Sequence, residues 1–425
     1  MMKFWYLIYN IIVLPFLFLV FQLAGLFNAK IKKGIKDRQR LFEDLILAFI
    51  QLDKKKKMVW VHSSSMGEFE QAKPVIQKLK AEKDVNIIVT FFSPSGYENS
   101  KNYPFADVVS YMPFDTPGLV KRFLDIVNPD LTVIMRYDIW PNFIWQLKSR
   151  NIPCFIIDAT MRENSNRKLP VSISFHKSLY KNISKIFTVS KADLESFRSF
   201  DIKNGQLETA GDTRYDRVFQ KSVAAKEKKL FKDGFFDGKK VFVAGSSWEA
   251  DEEVLLPAFL KIAKYDDDVI MILVPHEPTI AHLEKLEDQL RNKCSSIRFS
   301  YLNDYKGERI IIVDSIGILL TLYYYADLAY VGGSFKQGIH NVLEPAVYGI
   351  PVLFGPKIEN SQEAQKLVKI GASKVLRDKK EAYRWLRTLL KDDGLREKMG
   401  RISSMFVNEN LGATDKILKE IHKIL

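Results

Sequence analysis

Apolar positions along the chain fall into three regimes. Residues 4–27, FWYLIYNIIVLPFLFLVFQLAGLF, carry no charged side chain and are long enough to cross a bilayer core, which takes about 20 apolar residues. Residues 31–52 follow with helical spacing that puts Leu41, Leu45, Ile46 and Phe49 on one face. From there short apolar runs at 58–62 (MVWVH), 85–91 (VNIIVTF), 131–135 (LTVIM), 153–157 (PCFII) and 185–189 (KIFTV) alternate with helical segments. Such alternation predicts βαβ units around a parallel sheet. The series restarts at 241–245 (VFVAG), 269–274 (VIMILV), 309–313 (RIIIV), 327–331 (DLAYV) and 351–355 (PVLFG), which predicts two doubly wound α/β sheets rather than one of ten strands. The Lys-rich, turn-forming stretch 216–238 reads as the linker, and the charged tail ending in ATDKILKEIHKIL reads as helical. The predicted organisation is an anchor over 1–29, an N-terminal domain over 30–215 and a C-terminal domain, tail included, over 239–425. Two such domains facing across a cleft would bring the carboxyl ends of both sheets, where ligands bind, to a shared crevice.

A chain of 425 residues is too long for one ordinary core, and its net charge of +13 asks for an anionic partner. The position of the charge narrows the choice. Lys30, Lys32, Lys33, Lys36, Arg38 and Arg40 follow the apolar run, and only Lys3 precedes it. The positive-inside rule then directs the large domains to the cytoplasm and sets this cluster against anionic lipid headgroups, each residue contributing about 1 kcal/mol. The apolar run is longer than that of a signal peptide and no clear small-x-small cleavage site follows, while Pro15 also permits a helix that only dips into one leaflet. No nucleic-acid recognition motif is present. Cys154 and Cys294 lie in different predicted domains, so no disulfide is expected. With no HxxxH, no Cys-rich spacing and no EF-hand acid cluster, no protein-bound metal or other cofactor is expected.

The densest chemistry lies at 332–356, GGSFKQGIHNVLEPAVYGIPVLFGP, directly after the strand-like DLAYV. Gly332, Gly333 and Gly338, with Ser334 among them, allow backbone amides to approach a ligand closely. His340 and Asn341 stand at the start of a helix, and Glu344 falls on its first turn, where Pro345 is tolerated because first-turn amides lack intrahelical acceptors. This is the pattern of a nucleotide-sugar site in which Glu344 bridges ribose hydroxyls; a plain strand-to-helix turn with a capping Glu has the same spacing. A second segment, 62–71 (HSSSMGEFEQ), leads from a strand into a helix through Ser65, Gly67 and Glu68. Hydroxyls and free amides there suit a carboxylate or phosphate, and the helix dipole is expected to lower the Glu68 pKa, leaving an ionised base. Ser65 and Glu68 also have the spacing of a capping box. In 245–253 (GSSWEADEE), Ser246 and Ser247 repeat the strand, Gly-Ser-Ser, helix logic and suit a single phosphate; the GxxxxGK[ST] loop of a P-loop ATPase is absent. His276, in VPHEP at 274–278, can contact a base or phosphate or simply end a strand.

Taken with a WPN segment at 140–142, DATMRENS at 158–165, GDTRYDR at 211–217 and DSIGIL at 314–319, these motifs resemble, in order and over almost the whole length, the 3-deoxy-D-manno-octulosonic acid (Kdo) transferases of lipopolysaccharide assembly. The resemblance implies a GT-B fold of two Rossmann-like domains with a membrane anchor, and an inverting glycosyltransferase. Its donor would be CMP-Kdo and its acceptor the lipid A precursor (lipid IVA), at the cytoplasmic face of the inner membrane. It further implies Glu68 as general base, Ser246 and Ser247 on the CMP phosphate, His276 beside the nucleotide, Gly338, His340 and Asn341 closing over it, and Glu344 on the ribose. Many members carry a Glu-x-Glu-like pair before the WPN segment. Here Asp138 can stand for the second acid, but Arg136 cannot stand for the first. A UDP-sugar transferase or epimerase of the same fold and a non-catalytic membrane scaffold are the alternative readings.

Overall fold

A computed structural model describes residues 2–425. The chain divides into two compact units, Met1–Arg217 with Leu411–Leu425, and Val218–Asn410. In the first unit the strands are β1 (Lys57–Ser63), β2 (Val85–Phe91), β3 (Val108–Tyr111), β4 (Leu131–Met135), β5 (Cys154–Ala159), β6 (Lys185–Thr188) and β7 (Leu207–Thr209). They form one parallel sheet in the order β3-β2-β1-β4-β5-β6-β7. Successive side chains alternate between its faces. Trp60 and Ile88 join one core with Phe123, Phe143 and Tyr180, while Val59, Val61, Ile87 and Val89 join another on the opposite face with Phe69 and Phe187. Burial on both faces is why these strands read as continuous apolar runs.

The second unit repeats the construction with β8 (Lys240–Ser247), β9 (Val269–Pro275), β10 (Ser296–Arg298), β11 (Ile310–Ile312), β12 (Leu328–Val331), β13 (Val352–Phe354) and β14 (Ser373–Val375). Their order is β10-β11-β9-β8-β12-β13-β14. The ten strands predicted from the sequence are present, and four more appear: β3, β7, β10 and β14, which are the two edges of each sheet.

Two segments sit differently from their sequence assignment. Within 216–238, the helix Thr213–Lys226 crosses the boundary between the units, and Phe231 is buried against Phe235, Phe236 and Tyr325 in the second unit's core. The tail, assigned to the C-terminal domain, belongs to the first unit. Ile417, Leu418 and Ile421 enter the core on the Val59/Val61 face, and the Asp216 carboxylate accepts from the amides of Gly412 (2.8 Å) and Thr414 (2.7 Å) at the start of the last helix. That position favours an anion.

Lys3–Phe27 is helical and, by length and composition, able to cross a membrane. Its outer face exposes Phe4, Leu7, Ile11, Phe16, Leu19 and Leu26. Its inner face lies on the first unit: the Tyr9 hydroxyl donates to buried Asp115 (2.9 Å), Asn10 and Asn142 exchange amide bonds (3.1 and 2.8 Å), and Phe21 meets Phe92 and Phe114 edge-on. A π-helical stretch, Tyr9–Val13, lies just ahead of Pro15, whose ring crowds the carbonyl four residues back and which donates no amide. The basic collar beyond is not uniform. Arg38 is buried, donating to the carbonyls of Gly34, Phe92 and Met112 and lying over the rings of Phe92, Tyr111 and Phe114, so it cannot face headgroups.

Candidate active site

In an open parallel sheet the crevice lies where neighbouring strands send their connections in opposite directions. In the first unit β1 and β4 are such a pair, and the segments leaving their carboxyl ends supply Ser64, Ser65 and Glu68 from one side and Arg136 and Asp138 from the other. Ser65 caps the helix Met66–Glu82, its hydroxyl accepting from Glu68 N at 3.4 Å, and Gly67 stands in the exposed first turn. The Glu68 carboxylate reaches back to the amide of Ser64 (2.9 Å) rather than to that of the cap residue itself, so the expected capping box is only half made.

Ser64 links Glu68 to a second acid, its hydroxyl donating to Asp138 Oδ2 at 2.6 Å. The same oxygen lies 2.8 Å from Nε2 of buried His62, whose Nδ1 lies 2.8 Å from Thr90 Oγ1. Trp60 Nε1 donates to that hydroxyl oxygen (2.8 Å), so Thr90 joins Trp60 and His62 in one buried polar chain that ends on Asp138. Burial pushes Asp138 up, but the bonds from His62 and Ser64 outweigh it and hold the carboxyl below its usual range. For Glu68 the balance reverses. Burial raises its pKa against the bond from Ser64, with Asp138 adding repulsion and Arg136 opposing. The expectation that the helix dipole would lower it is therefore corrected. A carboxylate with a raised pKa is the stronger base once ionised. His62, Ser64 and Thr90 escaped the sequence reading as a group because no spacing rule joins β1, β2 and the loop after β4.

The second unit builds its crevice in the same way, where β8 and β12 are neighbours. Ser246, at an irregularity near the end of β8, has a left-handed φ of 51°, and a Cβ added to Gly332 would fall 2.1 Å from the Ser246 carbonyl oxygen, so only glycine fits there. The amides of Gly332 and Gly333 are taken by Gly245 O of β8 and by Asp251, and Gly338 N bonds Gly333 O (2.8 Å), so these amides are already bonded instead of standing free as donors. Ser247 is buried and donates to Glu252 (2.8 Å), which also meets His282 (2.8 Å). Ser334 is buried as well, its hydroxyl accepting from Gly355 N. What the fold assembles is a stack of rings: Trp248 on His276 (4.6 Å), His276 on His340 (4.4 Å), with Trp248 Nε1 donating to His340 Nε2 (3.1 Å). Burial lowers the pKa of His340. Asn341 accepts from Leu343 N (3.1 Å) and donates to Glu344 (3.2 Å), whose carboxyl burial pushes up. Beside the stack, Trp248, Glu249, Ala250, His282, Lys285 and Lys336 line a cavity of about 460 Å³ at the start of the helix Glu249–Ala263.

Residues 38–217 match the family model described as 3-Deoxy-D-manno-octulosonic-acid transferase (kdotransferase). The 3-deoxy-D-manno-octulosonic acid transferase of Aquifex aeolicus is 29% identical over 360 residues, covering 83% of this chain and 93% of that one. The bifunctional glycosyltransferase/methyltransferase of Fusobacterium nucleatum is 26% identical over 86% of this chain, which spans 57% of that protein's length. Among solved structures, the UDP-GlcNAc 2-epimerase of Neisseria meningitidis, at 15% identity, superposes with a TM-score of 0.60 over 86% of this chain and all of the other, a likeness of fold alone. Sequence likeness over most of the chain, a family match across the unit that holds Glu68, and two seven-stranded GT-B-type sheets point the same way: the chain is similar to the Kdo transferases.

Proposed function

We propose that this protein transfers Kdo from CMP-Kdo to the lipid A precursor lipid IVA at the inner membrane, its catalytic units in the cytoplasm and Glu68 acting as general base. In this reading Glu68 takes the proton from the acceptor hydroxyl as that oxygen attacks the anomeric carbon, and CMP departs from the opposite face with its phosphate oxygen, inverting the centre. The observation that carries it is the setting of Glu68: a partly buried carboxylate with raised basicity, positioned by the Ser64 amide and backed by the His62–Asp138 pair. On the donor side the reading assigns the CMP phosphate to Ser246 and the first turn of the helix after Ser247, the nucleotide to the His276–His340 stack with Gly338 and Asn341, and the ribose to Glu344. The Ser247 hydroxyl, committed to Glu252, serves that turn from behind.

The test is Glu68→Gln, an isosteric change that keeps an acceptor for Ser64 N. Transfer from CMP-Kdo, followed by mass spectrometry of the lipid product, is expected to vanish while CMP still raises the melting temperature as in the wild type. Turnover retained in the variant would remove Glu68 from the role, and stabilisation by UDP but not CMP would remove the donor assignment.

A further inference from the structure

Arg136 is a cation in the loop that carries Asp138, and its setting fits a ligand better than a structural ion pair. It follows β4 directly, its amide still bonded to Ile157 O (2.8 Å), and then turns with a left-handed φ of 59°. Its neighbour across the sheet, Asp158, turns the same way at the end of β5 (φ 52°). Such a φ is strained for a long side chain and persists only where surrounding structure imposes it. The turn carries the guanidinium among carboxylates, since both Glu68 and Asp158 feel its charge. Yet each acid is bonded elsewhere: Glu68 to Ser64 N, Asp138 to His62 and Ser64, and Asp158 to the amide and hydroxyl of Thr213. Arg136 Nε is buried with no hydrogen-bond partner among the described residues. A guanidinium held in place by charge but left with an unused donor is poised for an oxyanion, two of whose oxygens its fork can grip.

We propose that Arg136 binds an anionic group of the substrate, a carboxylate or phosphate, next to Glu68, and so sets which sugar or lipid is accepted. The assignment rests on the transferase reading, in which that anion is either the carboxylate of the Kdo donor or a phosphate of the lipid acceptor. The full-length wild type, R136Q and R136K, in detergent micelles, are titrated calorimetrically with four ligands: CMP-Kdo, CMP, the phosphorylated lipid A precursor and the same lipid stripped by phosphatase. R136Q is expected to bind one anion-bearing ligand about tenfold or more weakly while binding its stripped counterpart unchanged, a charge-assisted bond being lost. R136K, with charge but no fork, should fall between, and it serves alone if R136Q does not fold. Loss confined to CMP-Kdo assigns the donor carboxylate, and loss confined to the phosphorylated lipid assigns the acceptor. Unchanged binding of all four ligands by both variants, or equal loss on intact and stripped ligands, overturns the proposal. A wild type with an Arg136-dependent preference for the phosphorylated lipid but no sugar transfer would overturn the transferase reading and leave this assignment standing.

Discussion

Glu68 shows how neighbours decide a residue's chemistry. A helix N-terminus favours a carboxylate by only about 0.3–1 kcal/mol, less than one pKa unit, whereas burial shifts a carboxyl by up to several. Partial burial beside Asp138 therefore outweighs the dipole and the Ser64 amide. On the proposal that Glu68 is the general base, it must be ionised, so activity falls as pH drops through this raised value, and the acid limb of kcat/KM is expected above the usual Glu range near about 4.3. Asp138→Asn removes a repelling charge and should move that limb to lower pH; a pH-rate profile that does not move would show that Asp138 does not reach the base electrostatically. Residue types at Glu68, Ser65 and Asp138 were legible in the motifs. The pairing of His62 with Asp138 was not, because the two lie on different strands' ends and meet only once β1 and β4 are neighbours.

At the scale of elements, the inner strands were legible because burial on both faces makes them unbroken apolar runs. The four edge strands were not: LET in β7, SIR in β10 and SKV in β14 are three residues each and partly exposed, and VVSY in β3 has four. Short, polar edges limit unwanted pairing, and the same property hides them from periodicity. The apolar N-terminal helix was legible by length, but its docking was not. Burial pushes its partner Asp115 up to about 7 despite the bonds from Asn142 N, Tyr9 and Phe143 N. A raised carboxyl pKa means that the folded chain holds the proton more tightly than the unfolded one. This group's contribution is therefore full below about pH 4 and is lost as pH climbs to about 7, flat beyond. Asp115→Asn should remove that slope, so the difference in melting temperature between variant and wild type, measured across this range, should grow with pH; a constant difference would contradict the assignment.

For the whole molecule, the net charge of +13 acts through its distribution. Arg38 is caged by aromatic rings, Lys33 pairs with Glu98 at 2.8 Å, and Lys30, Lys32 and Lys36 are left exposed beside the apolar helix. Replacing those three by Glu should weaken flotation with anionic vesicles by at least about 1 kcal/mol per residue and leave binding to zwitterionic vesicles nearly unchanged; equal loss on both would make the collar structural instead. The division into units follows contacts rather than chain order, since residues 411–425 return to the first unit through Asp216 and the core around Ile417. By itself the sequence determined the apolar N-terminal helix, the inner strands of two parallel sheets and the motifs shared with the Kdo transferases, because each is written in consecutive residues whose burial or turn chemistry is local. Only the tertiary structure decided where the tail packs, that the glycine amides are already taken by β8, Asp251 and their own turn, that burial raises Glu68, and that Arg136 keeps a buried donor unused. These depend on which strand ends become neighbours, and that is set by packing between segments far apart in the chain.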